Sequence, residues 1–407
     1  MTPSQSGKLP KGIWVLGFVS MFMDISSELV HSLLPIFMAT TLGVSMATIG
    51  IIEGIVEGAA AITKVFSGAI SDYFRKRKFL AVLGYGLGAL TKPVFPLATT
   101  IGWVFGARLV DRIGKGIRGA PRDAMVADIT PQNLRGAAYG LRQSLDAIGS
   151  FIGPVLAVIF MILLANDIKA VLWIGVIPAF LAVFLLIFGI HEPDHVENSD
   201  SPKKRLNLSD VKQMPLQYWL VVMLGAVFTL ARFSEAFLIL RVQELGLAIG
   251  YVPAILIVMN IAYSMFAYPA GAAADRFSAR KLLAFGLCLL IAADIALASA
   301  ETPGLAFVGA ALWGLHMAFT QGLLAKLVAD TALVELRGTA FGIFNLVNGV
   351  ALLLASAIAG LLWSYFGAPA TFIAGASFAA IAATGLLLYR PRKSLILTKR
   401  LDAAIKQ

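Results

Sequence analysis

Residues 68–78 read GAISDYFRKRK, and residues 271–281 read GAAADRFSARK. Each stretch sets a glycine and an aspartate ahead of basic residues, between two apolar runs. Gly68 and Gly271, Asp72 and Asp275, and Arg77 and Arg280 are each 203 positions apart (271 − 68, 275 − 72, 280 − 77). The chain has 407 residues, so this offset is half its length. The repeat runs on: 125–136 (MVADITPQNLRG) is echoed by 327–338 (LVADTALVELRG). There Asp128/Asp330, Arg135/Arg337 and Gly136/Gly338 are each 202 apart (330 − 128, 337 − 135, 338 − 136). The expectation is two copies of one helical unit, joined in the middle.

Composition says where such a unit can live. Hydrophobic residues make up 58% of the chain and charged residues only 14%, with a mean hydropathy of +0.83. Those values lie outside the range of soluble domains. A helical bilayer span needs about 20 mostly apolar residues, and such runs recur from end to end. They are continuous rather than alternating, which argues for helices over a barrel. The fold expected is an all-α polytopic membrane protein of about twelve transmembrane helices in two pseudo-symmetric six-helix bundles. The net charge of +10 sits in short loops and at the tail, so nucleic acid is not the expected partner. The single Cys288 permits no intrachain disulfide. The first apolar run carries Asp24 and Glu28 and no small-residue cleavage site follows it, so no cleaved signal is expected.

Spans are expected near 13–37, 47–71, 79–99, 102–127, 137–164, 170–190, 217–240, 250–270, 280–300, 304–328, 338–363 and 367–389. The first bundle takes 1–190, a polar linker 191–215, the second bundle 216–390 and a basic tail 391–407. One side collects Arg75, Lys76, Arg77, Lys78, Arg135, the lysines and arginine of the linker, Arg276, Arg280, Lys281, Arg337 and the tail. The other holds little more than Lys92, Lys169 and Arg241. By the positive-inside rule both termini face the cytoplasm, across a cell inner membrane. Internal duplication in a polytopic protein points to a transporter whose halves rock about a site near the midplane.

The G-x3-D-x4-R-K segments after spans 2 and 8 resemble those of the major facilitator superfamily, and the resemblance covers essentially the whole chain. It implies that Gly68, Asp72, Arg75, Arg77 and Asp275 latch helix ends and govern the conformational switch. Tyr73 and Arg75 stand where the family often has a basic residue and a glycine. Gly140, Gly149, Gly153 and Pro154 in span 5 resemble the fingerprint of the family's twelve-span drug:proton antiporter branch, although Ala157 and Val158 replace its last two glycines. A close-packed helix face is the alternative reading of Gly149, Gly153 and Pro154, since small residues at i and i+4 let helices approach. Residues 112–116 (RIGKG) resemble the family's span-4 motif, whose arginine is associated with proton coupling.

Span 4 (ARLVDRIGKGIRGAPRDAMVAD) is the unusual one. At 100° per residue Arg108, Asp111, Lys115, Arg118 and Arg122 share a stripe, with Arg112 and Asp123 beside it. Its counterpart in the second half is nearly all apolar, so the scaffold does not require these charges. Each charge costs about 3 kcal/mol at the bilayer centre unless it meets water or a partner. Span 1 places Asp24, Glu28 and His31 on one face, span 2 places Glu53, Glu57 and Lys64, and span 7 offers Arg232 and Glu235. Carboxylates in a dry cavity hold a proton more tightly unless a cation is near. Asp24, Glu28, Glu53, Glu57 and Glu235 are therefore candidates for proton coupling, with Asp24 or Glu28 first and Arg112, which the resemblance implies, or Arg232 as the modulating partner. A static ion-pair network is the competing account. Gln143 and Asp146 in span 5 correspond to Asn345 and Asn348 in span 11, 202 apart (345 − 143, 348 − 146). With Arg142, His31, Arg108, Asp111 and Arg232 they form the candidate substrate-binding set.

No nucleotide loop, nucleophile–base pair or metal-ligand cluster of known spacing stands out. The expectation is a secondary active transporter without cofactor, acting as a monomer, with protons, membrane lipid and a small molecule or ion as partners. Cavity acids favour an organic cation or amphipathic drug-like compound, and His31 beside Asp24 and Glu28 hints at a metal ion. The alternative is an anion- or siderophore-selective permease, or a proton symporter, that uses the span-4 stripe.

Overall fold

The computed structural model describes residues 9–74, 76–131, 134–191, 214–332 and 337–388. Arg75, most of the linker and the tail lie outside the described residues, as do the side chains of Gly68, Asp72 and Asp275. The described residues form helices and no strand. In chain order span 1 is Lys11–Ile36, widened to a π turn at Phe37–Thr41; span 2 is Met46–Phe74; span 3 is Arg77–Thr91 with Val94–Leu97; span 4 is Ile101–Ile129; span 5 is Arg135–Leu163; and span 6 is Ile168–Ile174 with Val176–Gly189. The second half has span 7 as Leu216–Leu230 and Ala236–Glu244, span 8 as Ala254–Arg276, span 9 as Ala279–Ala298, span 10 as Pro303–Thr331, span 11 as Arg337–Phe366 and span 12 as Ala368–Leu388. The 68–78 stretch is therefore mostly helix end: span 2 runs to Phe74 and span 3 starts at Arg77.

Ten of these stretches are long and apolar enough to cross a bilayer. The two that fail the test are span 4, which is too charged, and span 7, which is broken. Residues 231–235 leave the helix in span 7, where an unbroken span was expected. Both exceptions carry polar chemistry.

The duplication is visible in the turns as well as in the motifs. Gly43 (φ 64°) and Gly246 (φ 85°) are 203 apart (246 − 43), and Ala165 (φ 51°) and Gly367 (φ 82°) are 202 apart (367 − 165). A positive φ is cheap only for glycine, so three of these four turns use it. All four lie on the far side of the bundle, away from the basic 75–78 segment. Within the first half span 1 packs on spans 5 and 6, and span 4 on spans 2 and 3. Within the second, spans 8 and 9 pack on span 10 and span 9 on span 12.

The halves meet where span 2 packs on span 11, span 5 on span 8, and span 1 on the second segment of span 7. Gly50, Gly54 and Gly58 form one stripe of span 2, and the backbone of span 11 presses on it. A Cβ on Gly54 would lie 2.6 Å from the Leu353 carbonyl oxygen, and Gly50 is crowded by Ser356 and Gly360. Dispersion between closely approaching backbones is the main attraction open to helices in lipid. The Ala47 amide donates to Ser364 Oγ at 2.8 Å, which ties the far end of the seam.

A methyl group at Gly54 should weaken this closure by about 1–3 kcal/mol, the usual cost of overpacking. In a Cys288→Ser background with the buried Ser32→Cys as reporter, Gly54→Ala is expected to raise labelling from the far side about tenfold. An unchanged labelling rate would show that the glycine seam does not hold the halves together.

Candidate functional site

The charges of span 4 do not form one stripe facing a cavity. They divide between two flanks. Arg108 and Arg112 turn toward span 2, where Glu53 and Glu57 share their i, i+4 spacing. Arg108 Nη2 donates to both Glu53 carboxylate oxygens at 2.7 Å, and both side chains are sealed from solvent. Arg112 Nη2 lies 2.9 Å from Glu57 Oε1, and Glu57 keeps partial exposure. Asp111 and Arg118 turn the other way, toward span 3. Asp111 takes Lys92 Nζ at 3.0 Å, and the Arg118 guanidinium stacks on the Tyr85 ring at 4.5 Å. The expectation that Arg108 and Asp111 line a substrate path meets two buried side chains already held by partners. Lys115, between the flanks, is the exposed cation of the span. Near the other end Arg122 donates to Ser20 Oγ and Asp123 Oδ1, each at 3.1 Å.

Two cations placed by sequence at the far side prove to be structural. Lys92 is buried within span 3 and also donates to Ser27 Oγ at 3.2 Å. Arg241 is buried too, and its guanidinium caps the end of span 9 by donating to the carbonyls of Leu297 (3.0 Å) and Ala300 (2.7 Å). The last carbonyls of a helix lack intrahelical donors, which is the need Arg241 meets.

The break in span 7 brings the halves' polar groups together. Ser234 Oγ donates to Glu53 Oε2 at 3.2 Å, and the Ser234 amide donates to Ser356 Oγ at 3.2 Å. Glu53 thus joins span 4, span 2 and the second half in one buried junction. Arg232 and Glu235 stand on either side of Ser234, both half-buried. Glu235 lies within electrostatic range of His31, Arg232, Glu28 and Glu57. An unwound stretch near the middle of a span is where transporters place polar backbone against a cavity.

The span-1 acids are seated by the glycines of span 5. A Cβ on Gly153 would fall 2.7 Å from Glu28 Cβ, and one on Gly149 would fall 3.1 Å from Asp24 Cβ and 2.5 Å from the Met21 carbonyl oxygen. The two readings of Gly149 and Gly153 therefore converge: they are a packing face, and what they pack is the carboxylate face of span 1. Pro154 follows within the same unbroken helix. Glu28 has His31 Nδ1 at 3.7 Å, while His31 Nε2 is buried without a partner. Asp24 lies within electrostatic range of Lys115, Asp146, Arg118 and Glu28. Among the described residues neither Asp24 nor Glu235 has a cation at ion-pair distance.

Arg142 pairs with Asp146 one turn on and reaches Asp123 at 3.6 Å. Gln143 is exposed and Asn345 and Asn348 are half-buried, with Asn348 Oδ1 unpartnered. Arg77 pairs with Asp128, which joins the first motif of the repeat to the second. Among the described residues no three His, Cys, Asp or Glu side chains converge at metal-ligand distances. Sequence reading sets Lys92 and Arg241 at the far surface without their buried roles, and it does not single out Tyr85 or the Ser234 link to Glu53. Lys92 could have been found, since it falls inside an apolar run that has Asp111 opposite it.

The sequence profile described as the Major Facilitator Superfamily matches residues 16–260 and 230–403. An uncharacterised MFS-type transporter of Methanocaldococcus jannaschii is 32% identical over 388 residues, covering 94% of this chain and 95% of that protein. The inner membrane transport protein YajR of Escherichia coli is 23% identical over 395 residues, 94% of this chain and 83% of its own length. Among solved structures, the nucleoside transporter NupG superposes with a TM-score of 0.77 at 16% identity, over 93% of this chain and 100% of that one.

Removing one member of a buried ion pair leaves an uncompensated charge, at a cost of about 3–5 kcal/mol. Arg108→Ala should therefore lower the thermal unfolding midpoint of the detergent-solubilised protein strongly, and Glu53→Gln combined with Arg108→Gln should recover most of the loss. Equal stability of Arg108→Ala and wild type would show that the pair is not sealed.

Proposed function

The chain belongs to the major facilitator superfamily, and on that footing we propose that this multi-pass transporter is a proton-coupled exporter of small cationic or amphipathic compounds. The observation that carries the reading is a division of labour among charges. Arg108, Arg112, Arg122 and Arg142 each have a carboxylate partner. Among the described residues Asp24, Glu28 and Glu235 have no cation at ion-pair distance other than His31 beside Glu28. A basic stripe whose arginines are mostly paired with carboxylates is a poor anion site, whereas acids without an arginine or lysine partner attract a cation or a proton. The likeness to solved transporters is at 16% identity for NupG, a level that supports the fold and leaves the cargo to the chemistry of this chain.

In the mechanism, the halves alternate between a form closed at the span 2–span 11 seam and a form closed on the opposite side. A proton on Glu28 or Asp24 and a bound cation compete for the same acidic face. Each ligand shifts the equilibrium between the forms only as far as its affinities for the two differ. Arg232, within the break, and Lys115, near Asp24, have no ion-pair partner among the described residues and are placed to favour proton release when they approach. The location that goes with this role is a cell inner membrane with both termini in the cytoplasm, as the distribution of Lys and Arg supports.

Lys115 and Arg232 also keep a second reading in view, an anion permease or proton symporter. Proteoliposomes loaded with a pH-sensitive dye separate the two. Ethidium, an iron–hydroxamate chelate and Zn2+ are added outside in turn, and lumenal pH is followed. Alkalinisation on adding ethidium is the expected result, because cation entry then drives protons out. Acidification with the chelate would instead establish symport of an anion. Glu28→Gln should slow the proton flux at least about a hundredfold, the lower bound expected of a lost general acid–base group. Normal flux in that variant would rule out Glu28 as the carrier.

A further inference from the structure

Among the described residues the second half contains one fully buried carboxylate that proton coupling through span 1 does not use. Asp294, in span 9, is fully buried, and neither of its oxygens has a hydrogen-bond partner. Trp313, in span 10, is also fully buried, and its indole N–H is likewise unpartnered. The duplication relates the two positions to a pair in the first half. Asp294 is 202 positions after Lys92 and Trp313 is 202 after Asp111 (294 − 92, 313 − 111). The place of the Lys92–Asp111 ion pair is thus taken by a lone acid and an indole.

The surroundings limit what can accompany that acid. A Cβ on Gly375 of span 12 would lie 2.6 Å from Asp294 Oδ2 and 3.1 Å from the Phe233 ring, so carboxylate and ring press on the same bare backbone. Phe233 packs in turn on Trp313 and Phe372, with centroids 5.3 and 5.5 Å apart. The titratable groups on the neighbouring elements are engaged or remote. On span 10 His316 Nδ1 meets the Gly286 carbonyl at 2.8 Å, about two helical turns along span 9 from Asp294. Arg241, on the second segment of span 7, is spent on Leu297, Ala300 and Glu244. Arg232 and Glu235 flank the break, span 8 offers Tyr263, and the described part of span 12 contains no ionisable side chain. Among the described residues no charged group acts on Asp294.

An ionised carboxylate in this place would be uncompensated, which proteins avoid by pairing or neutralisation. A metal ion is a poor companion, because it needs several oxygen ligands and here finds aromatic rings and an indole donor. A proton needs no other ligand. We propose that Asp294 is a second proton-binding site, carried in the second half and covered by Phe233 of the span-7 break. Because Phe233 belongs to the unwound segment, rearrangement of the break admits water to Asp294 and lets the proton leave. The site stands independently of Glu28.

Infrared difference spectroscopy of the full-length protein in lipid nanodiscs at neutral pH tests this. A carboxylic-acid carbonyl band that shifts in D2O is expected in the wild type, is lost in Asp294→Asn, moves in frequency in Asp294→Glu and persists in Glu28→Gln. Replacing Na+ by K+ or choline should leave it unchanged. Phe233→Ala should speed its exchange into D2O about tenfold, as loss of local cover does. A spectrum identical in wild type and Asp294→Asn would overturn the proton site, and so would a band that disappears on adding Na+. An unaltered exchange rate in Phe233→Ala would overturn the covering role.

Discussion

A guanidinium cannot stand alone inside a bilayer, and the first half of this protein is arranged around that fact. Arg108 is buried where lipid-facing sequence would be expected, so it must be paired, and Glu53 meets it with both oxygens. That pairing sets the rotation of span 4 against span 2. Arg112 and Glu57 then fall opposite one another because both helices repeat at i, i+4. With its span-2 flank committed, span 4 turns Asp111 and Arg118 to span 3, where Lys92 and Tyr85 receive them. The same Glu53 reaches across the molecule to Ser234. One carboxylate thereby links the interior of the first half to the break in the second.

The two halves share a backbone plan and differ in what fills it. Spans 4 and 10 run over corresponding residues, 101–129 and 303–331, yet one is laced with charge and the other with aromatic and aliphatic packing. Trp313, Phe233, Phe237, Trp363 and Phe372 form a connected set of rings in the second half. An aromatic-packed half set against a charge-laced one gives the closure a defined partner surface. It also leaves Asp294 isolated in a way that Asp111 is not.

Much of this was legible in the sequence. The 202 and 203 offsets place the turns as well as the motifs, and the apolar runs locate ten spans without ambiguity. The carboxylate face of span 1 and the small-residue face of span 5 could each be read from helical spacing, though not that Gly149 and Gly153 seat Asp24 and Glu28. The break in span 7 left no trace, because residues 231–235 (ARFSE) hold neither glycine nor proline. Tertiary bonds from Ser234 to Glu53 and Ser356 hold it open instead. Charge partners were also hidden. Periodicity puts Arg108 and Asp111 on one stripe, but long side chains bend to opposite neighbours, and only packing decides which.

On this account the Glu53 junction controls closure of the halves. Pulsed electron resonance between spin labels at Val44→Cys and Tyr365→Cys, in a Cys288→Ser background, reads the distance across the far end of the seam. A short-distance population is expected in the wild type, giving way to a longer one in Glu53→Gln and in Ser234→Ala. Identical distance distributions in all three proteins would contradict it.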